Sequence, residues 1–236
     1  MFKKIICMGI ALMMCIGLFC ACGNNPDQLT TSKAELLRAF DQLKASESYV
    51  EIIEISTAGD GIKNYTTKYK KSDNGFIAEV LEETFSETET RSLKYYFVDG
   101  YMYMPSPDLS EYGYGGVKIS MQRDFISFSQ FFNENSGYLT TEKINQLNKE
   151  SNVKTETIKG NLVYSFNVKE IFNMQETKYS INNDYRVAVD ADQRIIEIRQ
   201  TKTGAGSDYV IVASYNYVSV EIKLPDDLDT YFENKG

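Results

Sequence analysis

Cysteine, which can act as a nucleophile or a metal ligand, occurs only at one end of this chain. Its four cysteines are Cys7, Cys15, Cys20 and Cys22, and it contains no histidine. Histidine is the commonest general base and metal ligand, so its absence excludes histidine-containing triads and most hydrolase mechanisms. We therefore expect a protein that is not an enzyme and needs no metal or other cofactor.

The first 21 residues have the pattern of a secretory signal peptide. Lys3 and Lys4 precede an uncharged apolar run over residues 5 to 19, and the small residue Ala21 follows. A basic start, a short apolar core and a small residue at the cleavage site are typical of such signals. A retained membrane helix is the alternative, but the run falls short of the roughly 20 residues that a spanning helix needs.

Cys22, which follows Ala21 and precedes Gly23, resembles the lipobox cysteine of bacterial lipoproteins. In that family the thiol carries a diacylglyceryl group, the signal is cut before the cysteine, and palmitate and other acyl chains anchor the mature protein. The resemblance implies a lipoprotein on the outer face of the bacterial cell membrane, with a signal peptide at residues 1–21 and a polar tether at residues 22–31. An ordinary signal peptide cut elsewhere is the alternative.

Composition predicts a folded, β-rich domain that avoids nucleic acid. The net charge of −8 repels phosphate backbones. Hydrophobic residues make up 42% of the chain, too many for a disordered protein. The aromatic fraction of 13%, with many tyrosines and no tryptophan, favours β-strands. After cleavage before Cys22 no cysteine remains for a disulfide or a metal site.

Periodicity places one helix before a series of strands. Ser32 and Glu35 have capping-box spacing, and Leu36, Leu37, Phe40 and Leu43 follow at helical intervals, which predicts a helix over residues 32 to 46. Strands are predicted at residues 49–57, 63–71, 76–84, 93–98, 101–104, 153–158, 162–168, 186–189, 194–201 and 208–222. Further helices are predicted at residues 123–133, 141–149 and, briefly, 169–174.

This order predicts an α+β fold, in which one twisted antiparallel sheet is covered by helices on one face. The clearest hairpin pairs residues 93–98 with residues 101–104, because Asp99-Gly100 suits a two-residue type I′ turn.

The lipobox, the helix, the consecutive strands and the aromatic hairpin from Tyr95 to Tyr103 together resemble the LolA/LppX-like lipoproteins. The final strand, which ends in Ile222-Lys223-Leu224-Pro225, fits the same superfamily. The resemblance implies that residues 32–236 form a half-barrel whose N-terminal helix and helical insert cover the concave face. Several members carry lipids or lipoproteins in that cavity, and others are sensors or non-enzymatic partners of envelope proteins.

One face of the hairpin is predicted to carry Tyr95, Phe97, Met102 and Met104, facing Leu37 and Phe40 of the helix. Methionine repacks easily around variable shapes, so this face is a candidate wall for a lipid or other apolar ligand. Ordinary core packing between hairpin and helix is the alternative. A second hypothesis for function is a module that binds an envelope enzyme or receptor. The binding surface would be its sheet edge or the other, tyrosine-rich face of the hairpin, with Tyr96, Tyr101 and Tyr103.

Two acidic clusters suggest a functional site less strongly than the hairpin does. Asp184, Asp190 and Asp192 suggest a calcium loop, but the glycine and distal glutamate of an EF-hand are missing, which favours a solvated hairpin turn. Paired carboxylates can hydrolyse glycosides. The cluster of Glu82, Glu83, Glu87 and Glu89 is more typical of an exposed sheet edge that discourages aggregation.

The glycine- and tyrosine-rich residues 112–116 predict a flexible loop, with a mobile gate as its functional interpretation.

Overall fold

A computed structural model describes residues 26–57, 61–73, 75–86, 89–121, 139–174, 177–204 and 208–234. They form an α+β fold that is mostly β: one large, open, mixed sheet of twelve strands with few helices. The predicted helix at residues 123–133 lies outside the described residues. Within the described ranges, no helix is long and apolar enough to cross a membrane.

The strands are β1 (Ser48–Thr57), β2 (Gly61–Ser72), β3 (Gly75–Phe85), β4 (Thr90–Val98), β5 (Tyr101–Pro105), β6 (Gly116–Ser120), β7 (Lys154–Ile158), β8 (Asn161–Met174), β9 (Thr177–Val189), β10 (Ile195–Thr203), β11 (Tyr209–Asn216) and β12 (Phe232–Asn234). The helices are α1 (Pro26–Ala45) and α2 (Thr141–Asn145), with short 3-10 turns at Pro107–Tyr112, Lys149–Ser151 and Leu228–Thr230.

The strand order is β12-β6-β5-β4-β3-β2-β1-β11-β10-β9-β8-β7. Two antiparallel meanders, β1–β6 and β7–β11, are joined where β1 pairs with β11. The prediction of a purely antiparallel sheet was wrong at one edge, because β12 runs parallel to β6 and places Phe232 opposite Val117. A hairpin turn fixes antiparallel pairing, whereas β12 arrives from a distant part of the chain and is free of that constraint.

The β4–β5 hairpin has the predicted register, with Phe97 opposite Met102 and Val98 opposite Tyr101. Asp99 and Gly100 both have positive φ, at 50° and 80°. A type I′ turn requires such angles at both central residues, so the turn prediction is confirmed. A glycine at the second of these positions avoids the steric penalty of a Cβ.

Helix α1 begins at Pro26, so residues 26–31, which were predicted as tether, are helical. Proline at the first turn lacks only an N–H that no helical bond uses, and Asp27 favours the positive end of the helix dipole. Ser32, predicted as the capping residue, is therefore inside the helix and 2% exposed. Its hydroxyl lies 3.4 Å from that of Thr155 in β7.

Helix α1 packs over the β7–β10 part of the sheet. The Tyr164 hydroxyl of β8 donates a hydrogen bond to Glu35 at 2.8 Å, and the Lys33 ammonium donates to the Asn145 carbonyl of α2 at 2.7 Å. The apolar stripe of α1 is buried in the core cluster, namely Leu36, Ala39, Phe40 and Leu43. The predicted amphipathic helix is thus confirmed over most of its length.

Three other assignments differ from prediction. Residues 169–174 continue strand β8 instead of forming a helix, because they pair with β9, as in Ile171 opposite Ser180. The last long strand, β11, ends at Asn216 instead of residue 222. The helix predicted at residues 141–149 is the shorter α2 followed by a 3-10 turn.

Candidate functional site

The face of the sheet that contacts α1, here named the inner face, carries a row of side chains across β2–β6. In antiparallel sheets, directly opposed residues share a face. The register aligns Tyr69, Ala78, Phe97, Met102 and Ile119 in successive strands. The hairpin residues singled out from the sequence therefore do lie on one face, and it is the face that α1 occupies farther along the sheet.

The six residues of the predicted ligand face divide into two groups by burial. Phe40 and Phe97 are each 1% exposed and belong to the core cluster, which supports the core-packing interpretation for these two. The other four are partly buried and keep some contact with solvent, namely Leu37, Tyr95, Met102 and Met104. Solvent therefore reaches these four side chains of the predicted ligand face, of which Leu37, Tyr95 and Met102 also pack against the core cluster.

Stacked aromatic rings hold this part of the inner face together. Tyr49 and Tyr69 stack with centroids 4.6 Å apart, and Tyr69 stacks on Phe76 at 5.6 Å. The Phe76 ring lies 6.5 Å from that of Phe97. Each such pair adds about 0.5–1.5 kcal/mol beyond the area that it buries, so Phe97 belongs to a series of mutually stabilised rings.

A carboxylate held by two tyrosines lies next to this apolar surface. The Tyr95 hydroxyl donates a hydrogen bond to Glu82 Oε2 at 2.7 Å, and the Tyr65 hydroxyl donates to the same carboxylate. Burial, and then the Glu82 charge, raises the pKa of Tyr65 to about 12. Burial, followed by the hydrogen bond to Glu82, also raises the pKa of Tyr95. Both hydroxyls therefore remain protonated donors across the physiological range.

Beyond Glu82 the inner face opens into a cleft of about 230 Å³. Its lining combines charged, hydroxyl and apolar side chains: Lys63, Glu82, Thr84, Ser86, Glu89, Arg91 and Leu93. Thr84 stands directly opposite Lys63 on one side and Arg91 on the other. Sequence reasoning missed this cleft, because only the register between β2, β3 and β4 brings these residues together.

The cleft bears on the glycosidase hypothesis for the glutamate cluster. Glu82 belongs to the inner face, and strand alternation directs its neighbour Glu83 to the opposite face. Adjacent carboxylates on opposite faces do not flank one bond as glycosidase carboxylates do. Glu89 lines the cleft with Glu82, and Glu87 lies outside the described residues.

The aspartate cluster forms a hairpin turn closed by an arginine. Asp190 accepts backbone hydrogen bonds from Asp192 and Arg194, and its Oδ2 also accepts from the Arg194 guanidinium at 2.7 Å. Burial raises the pKa of Asp190, but the Arg194 hydrogen bonds outweigh it, so the pKa is lowered. Among the described residues, no group of three or more carboxylates is placed to hold a metal ion.

The C-terminal segment covers the other face of the hairpin. The Tyr231 ring meets that of Tyr103 at 5.4 Å, and Tyr96 is also buried. The glycine loop predicted to be flexible receives this segment, with the Gly115 N–H donating to the Thr230 hydroxyl at 3.1 Å. A Cβ on Gly116 would lie 2.8 Å from the Tyr231 ring. The glycines thus allow close packing, which was not expected when the sequence suggested a mobile gate.

Cys22, the predicted lipid attachment residue, lies outside the described residues. No protein-family model matches this chain, and a search of curated proteins finds no relative of significant similarity.

Proposed function

We propose that this protein is a membrane-anchored, non-enzymatic lipoprotein of the bacterial cell envelope that binds a lipid or other apolar ligand on the inner face of β2–β6. The observation that carries the proposal is the uneven cover of that face. Helix α1 packs over β7–β10, whereas apolar side chains of β4–β6 remain partly exposed, namely Leu93, Tyr95, Met102, Met104, Val117 and Ile119.

The chemistry of this surface suits an apolar ligand of variable shape. Ligand sites are concave, mostly apolar and fitted with a few polar groups that fix orientation. Met102 and Met104 supply flexible thioethers, while the neighbouring Phe97 is held in place by its aromatic contacts. In this proposal the sheet acts as the half-barrel expected from the LolA/LppX-like resemblance, and β2–β6 form its ligand-binding wall.

The proposed anchor holds the domain near the membrane. Only a few residues separate Cys22 from the start of α1 at Pro26. A fully extended chain spans about 3.5 Å per residue, so this link reaches roughly 14 Å at most. A lipid ligand would then be exchanged at the membrane surface.

The test is photo-crosslinking of the unlipidated mature chain, residues 23–236, which contains every described residue. A fatty acid with a diazirine near its tail is bound and activated, and the adducts are mapped by peptide mass spectrometry. We expect adducts in β4 and β5, and Met104→Asp should reduce them about tenfold or more, because a charge in an apolar site is costly. Ile52→Asp, at a position that is 50% exposed on the opposite face, is the matched control. Equal labelling of all regions, or none, contradicts the proposal.

One observation favours the second candidate function, a protein-docking module. Tyr112 is 75% exposed, and the rings of Tyr114 and Phe232 meet at 5.6 Å beside the β6–β12 edge. Exposed tyrosine and phenylalanine are typical of interface anchors. A photoreactive residue at position 112 should capture an envelope protein in cells if this function is the true one, and the same residue at position 52 should not.

A further inference from the structure

The cleft beyond Glu82 carries two cations that flank a hydroxyl. Lys63, Thr84 and Arg91 are direct cross-strand neighbours on β2, β3 and β4. Neighbouring strands lie about 4.8 Å apart, so the three side chains rise from backbones within roughly 10 Å of one another. Neither Lys63 nor Arg91 takes part in a salt bridge among the described residues. An ammonium, a guanidinium and a hydroxyl so placed can all donate to one phosphate or carboxylate.

The same cleft also presents carboxylates. Glu82 and Glu89 line it, and Glu82 is held in place by the hydroxyls of Tyr65 and Tyr95. Formal charges in the lining therefore balance, with two positive and two negative side chains. A purely anionic ligand would face both carboxylates, and a purely cationic one would face Lys63 and Arg91. A ligand that carries both charges satisfies both sets.

The cleft leads directly onto the apolar surface. Leu93 belongs to the cleft lining, and Tyr95 is the next inner-face position on β4, beside the β5 methionines. The volume of about 230 Å³ is below the roughly 300–1,000 Å³ of sites that enclose a whole drug-sized ligand. The cleft is therefore of a size for one end of a ligand, and the remainder would continue over the apolar side chains.

We propose that the cleft binds the zwitterionic head of an amphiphile, an anionic phosphate or carboxylate linked to an ammonium group, while its chains lie over Leu93, Tyr95 and Met104. This inference rests on the proposed function and assigns its ligand class. Lys63, Thr84 and Arg91 bind the anionic group. Glu89, with Glu82 behind it, faces the ammonium group.

The test measures how tightly the mature protein, residues 23–236, binds three lipids that have identical short acyl chains. These lipids are phosphatidylethanolamine, phosphatidylglycerol and uncharged diacylglycerol. Binding is measured by displacement of a fluorescent fatty acid, which is the probe. Phosphoethanolamine without acyl chains is the fourth competitor. Phosphatidylethanolamine should bind about tenfold or more tightly than diacylglycerol, the ordinary size of a charge-assisted hydrogen bond. The double variant Lys63→Ser with Arg91→Ser should abolish that preference and retain diacylglycerol binding.

Two further variants sharpen the test. Glu89→Gln should lose the preference for phosphatidylethanolamine over phosphatidylglycerol. Lys70→Ser with Arg199→Ser removes the same charges from exposed positions on the opposite face, so all preferences should persist in that control.

The failures are distinguishable. If the three lipids bind equally, or if phosphatidylglycerol binds best, the head-group assignment is overturned while the proposed function stands. If no lipid displaces the probe, or the probe itself does not bind, both fall. If phosphoethanolamine alone binds as tightly as the lipid, the ligand is a free zwitterion and the amphiphile is excluded.

Discussion

At the scale of single residues, the most consequential contact is the one between Tyr95 and Glu82. The Tyr95 hydroxyl reaches Glu82 Oε2 at 2.7 Å, and it fixes the carboxylate at the boundary between the apolar surface and the cleft. A hydrogen bond to a charged group contributes about 1.5–3 kcal/mol. Tyr95→Phe should lower the free energy of unfolding by about that amount in urea titrations.

The control for Tyr95→Phe is Tyr112→Phe. The Tyr112 side chain is 75% exposed, so its substitution should change the free energy of unfolding by no more than about 0.5 kcal/mol. Equal, small effects of both substitutions would show that the Tyr95 hydroxyl does not stabilise the fold.

Buried tyrosines should also make the free energy of unfolding fall at alkaline pH. Burial, with the Glu82 charge next, raises the pKa of Tyr65 to about 12, and burial, with Asp227 next, raises that of Tyr231 to about 12. A raised pKa means that folding favours the protonated phenol. Its contribution is complete below pH 10, the usual pKa, and is lost as the pH rises to about 12.

Urea unfolding measured from pH 8 to pH 12 checks this pH dependence. The free energy of unfolding should fall above pH 10, and Tyr65→Phe should make the fall shallower. Tyr112→Phe is again the control and should leave the slope unchanged. A fall of the same steepness in Tyr65→Phe would contradict the assignment.

At the scale of elements, local patterns predicted most of the sheet. Alternating residues located the β1–β5 strands to within a few positions, and Asp99-Gly100 fixed the register of the β4–β5 hairpin. Helical spacing of Leu36, Phe40 and Leu43 correctly predicted which side of α1 is buried. These signals succeed because side-chain period and turn geometry depend on neighbouring residues alone.

Elements that depend on distant partners were missed or assigned wrongly. Residues 169–174 lack a strong strand pattern and extend only because β9 pairs with them. Strand β12 has three residues, too few for a recognisable alternation, and forms against β6. The start of α1 was placed too late, since the capping box at Ser32 outweighed the helix-start signal of Pro26.

The docking of the C-terminal segment depends on Gly116. A Cβ there would collide with the Met104 carbonyl oxygen and lie 2.8 Å from the Tyr231 ring. Gly116→Ala should therefore loosen the segment, and limited proteolysis should cut after residue 225 sooner than in the wild type. Ser120→Ala, at the exposed end of the same strand, is the control. Equal cutting rates of both variants would contradict this packing role.

Substitutions on the inner face should distinguish core residues from residues of the proposed ligand wall by their effect on stability. Phe97 is 1% exposed, so Phe97→Ala should lower the free energy of unfolding by about 3–5 kcal/mol. Met104 is partly exposed, and Met104→Ala should lose clearly less than the roughly 2–5 kcal/mol of a packed methionine. Urea melts measure both. Comparable large losses would mean that Met104 is core and that no wall is available to a ligand.

At the scale of the whole molecule, the two halves of the sheet meet where β1 pairs with β11, and Val50 stands opposite Asn216. No local pattern encodes that pairing, so the sheet order was beyond sequence reasoning. The candidate site shows the same limit. Its hairpin was predicted, whereas the cleft requires Lys63, Thr84 and Arg91 from three strands in a particular register.

The proposed lipid anchor can be tested on the whole molecule. Its net charge of −8 repels anionic lipid head groups, so the proposed attachment would depend on acyl chains at Cys22. Two chains hold a protein firmly where a single chain does not. Cys22→Ser should abolish labelling by radioactive palmitate, and either release the processed protein or leave unprocessed precursor in the membrane. Cys20→Ser is the matched control and should keep its label, because the bulky Phe19 before Cys20 makes that cysteine a poor acceptor. Palmitate labelling that persists in Cys22→Ser would exclude lipidation at this residue.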